Sequence, residues 1–379
     1  MQRETFFEES EYVARQARLR QALERRGIDV YVTTSPSCIA WACGHFSVNV
    51  WDLMFLVVST TREPLLCLWE FEQTRFDASA VHVKGLAWAT GTDPVAFATD
   101  AIRDRFANAG RIALDVASPA AGYETLERLR LALGAEVVCG IADDVRLVKS
   151  AAEVAMLTAS AAITDAAIEA AFATTSPGIE DRDIAAVAMA ELAKRGSAMF
   201  SVAPIVAVGW RAGAPHSSWG GSRVGRGEPV FIELGASVAR YTTPLMRTKC
   251  FEPSHEVEEL ARYSDACLAA VMARTKPGER VCDLVRAGLD TLAPIRARIL
   301  FHDTMGYSLG VTYPPAWLDN LSFILSLANT REVEENMVFH LPVMLRVAGR
   351  YGAGFSESIL VTARGCERFS RLRRALSFA

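Results

Sequence analysis

The amino-acid sequence predicts an α/β domain with a mixed β-sheet, followed by an α+β domain that contains an internal twofold repeat. Short apolar strands alternate with amphipathic helices over residues 1–148. Over residues 149–379, two long helical stretches each run into a Pro-Gly break and are followed by strands. A chain of 379 residues with 51% hydrophobic residues can bury two cores. We therefore predict domains at 1–148 and 149–379.

In the first domain, helix and strand patterns alternate along the chain. Residues 11–26 have helical spacing and end at Gly27, and residues 28–34 form an apolar run typical of a strand. Asp93 before Pro94 predicts the N-cap of a further helix. The other predicted strands are 53–58, 64–69 and 111–114, and the other predicted helices are 93–106 and 123–133.

The second domain repeats a helix-turn-helix pattern at an interval of one hundred residues. Thr-Ser-Pro-Gly at 175–178 recurs as Thr-Lys-Pro-Gly at 275–278, and an Asp-hydrophobic pair and a leucine recur at the same interval. The preceding helices are predicted at 151–172 and 256–273. Pro-Gly is also a common helix stop, so a chance match remains open on this pattern alone. The strands predicted after the two units are 205–208 and 230–234, then 337–345 and 358–362.

Composition narrows the class of protein. The formal net charge is -4 and no basic stripe is present, so nucleic acid is not expected as a partner. No stretch approaches the ~18 uninterrupted apolar residues of a membrane span, and the N-terminus lacks a signal-peptide pattern. We therefore expect no membrane partner and a cytoplasmic protein. The basic run at 371–374 is expected to be a solvated tail.

Eight cysteines are scattered without a Cys-x-x-Cys pair. Single thiols on apolar segments are most often buried and reduced, so metal and disulfide roles are not expected.

Two polar groups in the second domain are candidates for chemistry. Glu233 interrupts an apolar strand, and such a carboxylate is either the buried partner of an arginine (Arg240 or Arg247) or a functional group. His216 follows a proline and is either a loop residue or a proton-transfer group.

Three further residues have two open interpretations. His340 lies among apolar neighbours, so a core or pocket-wall role and a catalytic role both fit. Tyr313 and Trp317 either pack in the core or form an aromatic cage for a small cation.

Five segments of the second domain resemble the metal-site strands of the pita-bread superfamily of creatinases, prolidases and methionine aminopeptidases. They are 231–236, 240–248, 306–310, 337–342 and 356–362, and the junction at 145–150 also resembles that superfamily. The metal-dependent members carry five ligand residues in these segments. All five positions are changed here. The two aspartate positions hold Glu233 and Pro244, and the ligand histidine is replaced by Tyr307. The segment Phe339-His340-Leu341 lacks the expected glutamate, and the last acid is shifted by one position to Glu357. We therefore expect no metal and no other cofactor.

The replacements together resemble the ectoine hydrolases, which open a cyclic amidine. The matching patterns are Phe-x-Glu, Arg-Tyr-x-x-Pro-Leu-x-Arg-Thr, Gly-Tyr-x-hydrophobic-Gly, Tyr-Pro-Pro-x-Trp, Phe-His, Ser-Glu-Ser and Ala-Pro-His. The chain departs from them at Thr242, where a histidine is usual, and at Ala316, Leu318 and Asp319. The substrate is therefore expected to be ectoine or a close analogue.

The resemblance implies specific roles. Glu233 would attack the ring carbon or bind the cation while activating water, and His216 would shuttle protons. Glu357 would hold an amidinium N–H or position the water. The residues expected to bind substrate are Tyr307, Tyr313, Trp317, His340, Tyr241 and Trp51.

The resemblance also implies a homodimer. Two other functions remain open on the sequence. One is the same fold with changed chemistry, such as a lyase or a biosynthetic cyclic amidine or guanidine hydrolase. The other is a catalytically inactive binding module, as in histone-binding chaperones of this fold.

Overall fold

The computed structural model describes residues 3–115, 121–319 and 323–376. Residues 1–146 and 147–379 form two compact units. The first unit contains a mixed sheet, as the sequence predicts, and its six strands have the order β4-β3-β2-β1-β5-β6. Its strands are β1 (Val30–Thr33), β2 (Phe55–Ser59), β3 (Leu65–Trp69), β4 (Lys84–Trp88), β5 (Ile112–Asp115) and β6 (Glu136–Val138). Its helices are α1 (Glu9–Arg25), α2 (Pro36–Cys43), α3 (Gln73–Ser79), α4 (Pro94–Arg105), α5 (Tyr123–Leu133) and α6 (Ile141–Leu147).

Local sequence signals account for the boundaries of these elements. The Asp93 carboxylate accepts hydrogen bonds from the backbone N–H groups of Val95 and Ala96, so it caps α4 as predicted. β1 pairs antiparallel with β2 and parallel with β5, which makes the sheet mixed. Apolar side chains from β1, β2, β3 and β5 pack against α4 and α5 to form the core of the unit.

The second unit is built from two copies of a helix pair followed by antiparallel strands. The first copy contains α7 (Ala151–Thr174), α8 (Asp181–Lys194), β7 (Ile205–Val208), β8 (Pro229–Val238) and β9 (Tyr241–Cys250). The second contains α9 (His255–Arg274), α10 (Val281–Leu292), β10 (Gly306–Ser308), β11 (Ile324–Leu325), β12 (Val338–Val347), β13 (Tyr351–Thr362) and β14 (Gly365–Arg368). The sheets have the orders β7-β8-β9 and β11-β10-β12-β13-β14.

The turns between the paired helices confirm the internal repeat. Thr175 Oγ1 donates to the carbonyl of Ala171, and Thr275 Oγ1 donates to that of Val271, each over 2.8 Å. Gly178 and Gly278 have left-handed φ values of 91° and 84°, a conformation that glycine adopts without steric cost. Because the same contacts recur at an interval of one hundred residues, a chance match of two helix stops is excluded.

Side chains on the long strands alternate between two faces. On β12, Phe339, Leu341, Val343 and Leu345 belong to the core formed with α9 and α10. The intervening residues Pro342, Met344 and Arg346 line a cavity on the opposite face. On β8, Ile232 and Leu234 pack in the core that contains residues of α7 and α8, whereas Phe231 and Glu233 face the cavity. The period of two thus separates a helix-facing side from a cavity-facing side.

Hydroxyl side chains join the two sheets between β9 and β13. The Met246 N–H donates to Ser356 Oγ over 2.7 Å, Thr248 Oγ1 donates to the Gly354 carbonyl over 2.8 Å, and Ser358 Oγ donates to the Pro244 carbonyl over 2.7 Å. The two copies therefore meet along these strands, and the cavity forms where they meet.

The basic run near the C-terminus is solvated only in part: Arg371 and Arg373 are exposed as expected, whereas Leu372 and Arg374 are held by the fold. Leu372 is buried, and Arg374 forms ion pairs with Asp265 and Glu357. The cysteines are all free thiols. Cys139 is exposed and Cys366 half-buried, while the other cysteines are buried.

One helix among the described residues, α7, is long and apolar enough to cross a membrane by length and composition. Its residues Ile168, Ala171 and Phe172 lie in a core with strands β8 and β9. A buried core helix has the same composition, so α7 is weak evidence for a membrane span.

Candidate active site

A cavity of about 520 Å³ lies within the second unit. Its size is typical of small-molecule sites. Its walls come from β7, β8, β9, β10 and β12 and from loops at 211–217, 300–304 and 315–318. Four predicted site residues line it: Glu233, His216, Tyr307 and Trp317.

Glu233 is a buried carboxyl group without an internal partner. It is 7% exposed, and it forms no hydrogen bond or ion pair with the residues that the structure describes. Burial raises its pKa from 4.5 to about 8, and the positive charge of Arg346 opposes this shift. Of the two arginines expected as structural partners, Arg247 pairs with Glu357, and Arg240 donates to the carbonyls of Thr312 and Met199. The ion-pair interpretation of Glu233 is therefore wrong.

Arg346 is a cavity residue that the sequence analysis missed. Its Nη1 donates to the carbonyl of Met344 over 3.3 Å, whereas its buried Nε has no described partner. Burial lowers the pKa of Arg346, and Glu233 opposes that shift. Arg346 lies an even number of residues after His340 on β12, so both side chains are on the same face of the strand. This alternation was the sequence signal that could have placed Arg346 beside the site.

Tyr307, His340 and Ser356 form a hydrogen-bonded row at the cavity wall. Nδ1 of His340 is 2.8 Å from the Tyr307 hydroxyl, and its Nε2 is 2.8 Å from Ser356 Oγ. His340 is fully buried and lies behind Tyr307. Burial, with a smaller effect of Arg247, lowers the pKa of His340 to about 3, so the imidazole is neutral and carries one proton.

The backbone sets the direction of this row. Ser356 Oγ already accepts the Met246 N–H, and among the described residues His340 Nε2 is the acceptor within reach of the serine proton. The single imidazole proton is then on Nδ1 and is donated to the Tyr307 oxygen. The phenolic proton of Tyr307 is left for an acceptor in the cavity. Burial, reinforced by Glu233, raises the pKa of Tyr307 well above its ordinary value, which keeps that proton in place.

Two histidines line the cavity near Arg346. His216 is exposed and has a left-handed φ of 57°. His302, which the sequence analysis missed, accepts at Nδ1 from the Thr304 N–H over 3.3 Å, so its neutral form carries the proton on Nε2. Desolvation, with Arg346 as the next cause, lowers the pKa of His302. In the sequence, the position of His302 five residues before Tyr307 was the one signal that it could lie near the site.

Trp317 lies at the cavity, and other residues expected to bind substrate lie elsewhere. The Trp317 ring meets the His340 ring edge-on, with centroids 6.5 Å apart. Tyr313 is buried beneath the Arg240 guanidinium and does not line the cavity. Tyr241 donates its hydroxyl proton to Glu153 of α7 over 2.9 Å. Trp51 belongs to the first unit and is 87% exposed.

Glu357 was expected at the reacting centre, but it faces away from the cavity. It follows Ser356 on β13, so its side chain points to the helix-facing side with Phe355 and Ile359. Its carboxylate accepts from Arg247 Nη2 over 2.9 Å and lies 3.3 Å and 3.6 Å from nitrogens of Arg368 and Arg374. This placement corrects the expectation that Glu357 contacts the substrate.

The residues present do not fit a two-metal centre. No group of three or more His, Cys, Asp and Glu side chains that could hold a metal occurs in the described ranges. At the expected ligand positions, Pro244 has no side-chain donor atom, Tyr307 has replaced a histidine and is hydrogen-bonded to His340, and Glu357 is bound by arginines.

Comparison with known families identifies the chain. Residues 15–148 match the creatinase/prolidase N-terminal domain, and residues 155–363, more than half of the chain, match the model of metallopeptidase family M24. The chain belongs to family M24. Within this family it combines the common fold with a cavity whose polar groups include Glu233, Arg346, Tyr307 and two histidines.

Individual M24 relatives differ in their named activities. The chain is 30% identical over 182 residues to ectoine hydrolase from Halomonas elongata, covering 46% of this chain and 44% of that protein. It is 22% identical over 234 residues to an Xaa-Pro dipeptidase from Pyrococcus horikoshii, covering 62% and 65%. The crystal structure of dipeptidase PepE from Mycobacterium ulcerans superimposes with a TM-score of 0.84 at 22% identity, covering 98% of each chain. The chain thus spans about half to two thirds of the length of those curated relatives.

Proposed function

We propose that this M24 protein is a metal-independent hydrolase that opens a cyclic amidine, ectoine or a close analogue, to an N-acetylated diamino acid. The observation that carries the proposal is Glu233, a buried carboxyl group that faces a small cavity and has no partner among the residues that the structure describes. An amidinium ring satisfies this group because it brings a positive charge and N–H donors. Similarity to ectoine hydrolase supports the same substrate class.

The proposed reaction adds one water molecule and breaks one ring C–N bond. The Glu233 carboxylate attacks the amidine carbon, or holds the cation while water attacks, and a C–O bond forms. His216 protonates the departing ring nitrogen and then accepts a proton from the incoming water. When Glu233 is the nucleophile, that water releases it from the adduct, and an N-acetyl group remains on the opened chain.

Tyr307 acts in this proposal as a hydrogen-bond donor at the position where metal-dependent relatives carry a ligand. Its proton is directed into the cavity by His340 and Ser356. Attack on the amidinium carbon gives a ring nitrogen a lone pair, and a neutral donor can hydrogen-bond to that nitrogen. Trp317 covers the ring with an apolar face and helps exclude water. A homodimer, the absence of nucleic-acid and membrane partners, and a cytoplasmic location remain predictions from the sequence.

The test is turnover by chelator-treated protein. Wild type, Glu233→Gln and the control Glu252→Gln are incubated with ectoine and a small panel of other cyclic amidines, and ring opening is followed by NMR and intact mass. Glu252 is exposed and pairs with Arg226 at the surface. We expect the wild type and the control to turn over ectoine after chelation and Glu233→Gln to be inactive. An adduct mass would identify Glu233 as the nucleophile. Turnover that requires added metal, or none on any amidine, would refute the proposal.

A further inference from the structure

The geometry points to a carboxylate-binding subsite at Arg346, so that the substrate is a zwitterionic ring that carries a carboxylate as well as the amidinium group. This inference rests on the proposed function for the identity of the ring. It adds a second recognition point on β12, opposite Glu233.

The first observation concerns which nitrogens of the Arg346 guanidinium group are hydrogen-bonded. Its Nη1 is engaged by the Met344 carbonyl, while Nε and Nη2 donate to no described residue. These two nitrogens form one edge of the planar group. That edge matches the two oxygens of a carboxylate and binds them through parallel hydrogen bonds. A buried donor without a partner is costly, so a ligand group at this edge stabilises the site.

The second observation is the separation of the two opposite charges. Glu233 and Arg346 both line the cavity and influence each other electrostatically, yet they form no direct ion pair among the contacts of the described residues. An empty cavity leaves both groups incompletely satisfied. A ligand with a cation at one end and an anion at the other would satisfy both groups.

The third observation is the charge of the surrounding wall. Among the described lining residues, Glu233 is the one acidic side chain, while Arg211, Arg346, His216 and His302 are basic. Arg211 Nε donates to Ser222 Oγ over 3.2 Å, so part of its guanidinium group is already hydrogen-bonded within the protein. The Leu300 N–H donates to the Arg346 carbonyl over 2.7 Å, which holds the segment that carries His302 beside Arg346. The free anion-binding edge is therefore at Arg346.

The experiment compares two rings on the full chain. One is ectoine, and the other is 2-methyl-1,4,5,6-tetrahydropyrimidine, which has the same amidine ring without the carboxylate. We expect wild-type kcat/KM to be higher for ectoine by on the order of 10²-fold, as for a charge-assisted bidentate contact. Equal values for the two rings would overturn the inference and leave the proposed function intact. This comparison needs no variant, so misfolding of a mutant does not affect it.

Variants of Arg346 test whether this residue causes the preference for the ring that carries a carboxylate. Arg346→Met should lower kcat/KM for ectoine far more than for the other ring, so that the ratio falls towards one. The ratio is the readout because loss of the positive charge near Glu233 affects both rings. Arg346→Lys, which keeps the charge without the fork, should give an intermediate ratio. Arg350→Met is the matched control, an exposed arginine on the following turn, and should leave the ratio unchanged. An unchanged ratio in Arg346→Met would overturn the inference.

Binding separates this inference from the proposed function. If neither ring is hydrolysed, the proposed function fails, and titration calorimetry with the same two rings decides the subsite. Binding of ectoine alone, lost in Arg346→Met, supports the carboxylate subsite. Equal binding of both rings, or of neither, overturns it.

Discussion

The hydroxyl oxygen of Tyr307 lies 2.8 Å from Nδ1 of His340, and the imidazole behind it is neutral. This contact determines what Tyr307 can do, because a phenol that accepts the imidazole proton has its own proton left to donate. His340 and Ser356 therefore act as positioning residues, and Tyr307 is the group that faces the cavity.

Removal of the serine hydroxyl should weaken this arrangement. In Ser356→Ala, His340 Nε2 loses its donor, and the imidazole no longer has to carry its proton on Nδ1. We expect kcat to fall about 5-fold with a smaller change in KM, as for loss of one neutral hydrogen bond of roughly 1 kcal/mol. In a Tyr307→Phe background the same substitution should have little further effect.

Ser358→Ala is the matched control, since Ser358 lies on the same strand and bonds to the Pro244 carbonyl outside this row. Additive losses in the Ser356→Ala, Tyr307→Phe double variant would contradict a role through Tyr307.

The activity should depend on the ionisation of Glu233. The carboxylate form is required for attack, and burial raises the pKa of Glu233 to about 8. The acid limb of kcat/KM in the free enzyme should therefore have an apparent pKa near 8, with activity rising as pH increases through that value. Arg346 lowers the pKa of Glu233, so Arg346→Met should move the limb to higher pH. A limb at the ordinary glutamate pKa in initial-rate profiles would refute this assignment.

The free energy of unfolding should depend on the same ionisation, but it should fall, rather than rise, as pH increases. Because the folded-state pKa is above the unfolded value of 4.5, the folded protein binds the proton more tightly, and this stabilisation is lost as pH rises from about 4.5 to 8. Glu233→Gln has no charge to bury. Its unfolding free energy relative to wild type should thus increase over that window, by on the order of 4 kcal/mol at about 1.36 kcal/mol per pKa unit.

Denaturant titrations at pH 5 and pH 9 measure the difference between Glu233→Gln and wild type. A difference that is the same at both pH values would show that Glu233 is not buried as a charge-sensitive group.

Glu357 should affect stability through its arginines. Its carboxylate is fully buried against Arg247, so Glu357→Gln leaves a buried guanidinium without its counter-charge. Breaking such a pair costs about 3–5 kcal/mol. We expect a large fall in melting temperature and retained kcat in the fraction that stays folded at low temperature. Glu252→Gln, at an exposed pair, should change stability by about 0.5 kcal/mol or less. Full stability with lost kcat would instead return Glu357 to the reacting centre.

Much of the fold could be predicted because its signals are local. The α5 helix spans the predicted residues, the Asp93 cap is present, and the two Thr-x-Pro-Gly turns mark the repeat. Helix caps, strand periodicity and left-handed glycines depend on a few neighbouring residues, and these are visible in one sequence.

The candidate site was predicted less completely because contacts there join distant strands. Glu233 was identified by its charge in an apolar strand, but Arg346 lies more than one hundred residues away and carries no local signal of a partner. Glu357 was assigned to the cavity from its place near a motif. A shift of one residue along a strand turns a side chain to the other face, and Ser356 instead holds the position on the cavity side, behind His340.

By itself, the sequence determined the type of those elements that have clear local signals, the repeat and the presence of a carboxylate in an apolar strand. The tertiary structure decided which arginine meets which acid: Arg247 pairs with Glu357, and Glu233 is left facing Arg346 across a cavity. The physical reason is that secondary structure arises from interactions within a few residues, whereas the energy of a buried charge depends on distances set by the packing of both repeats.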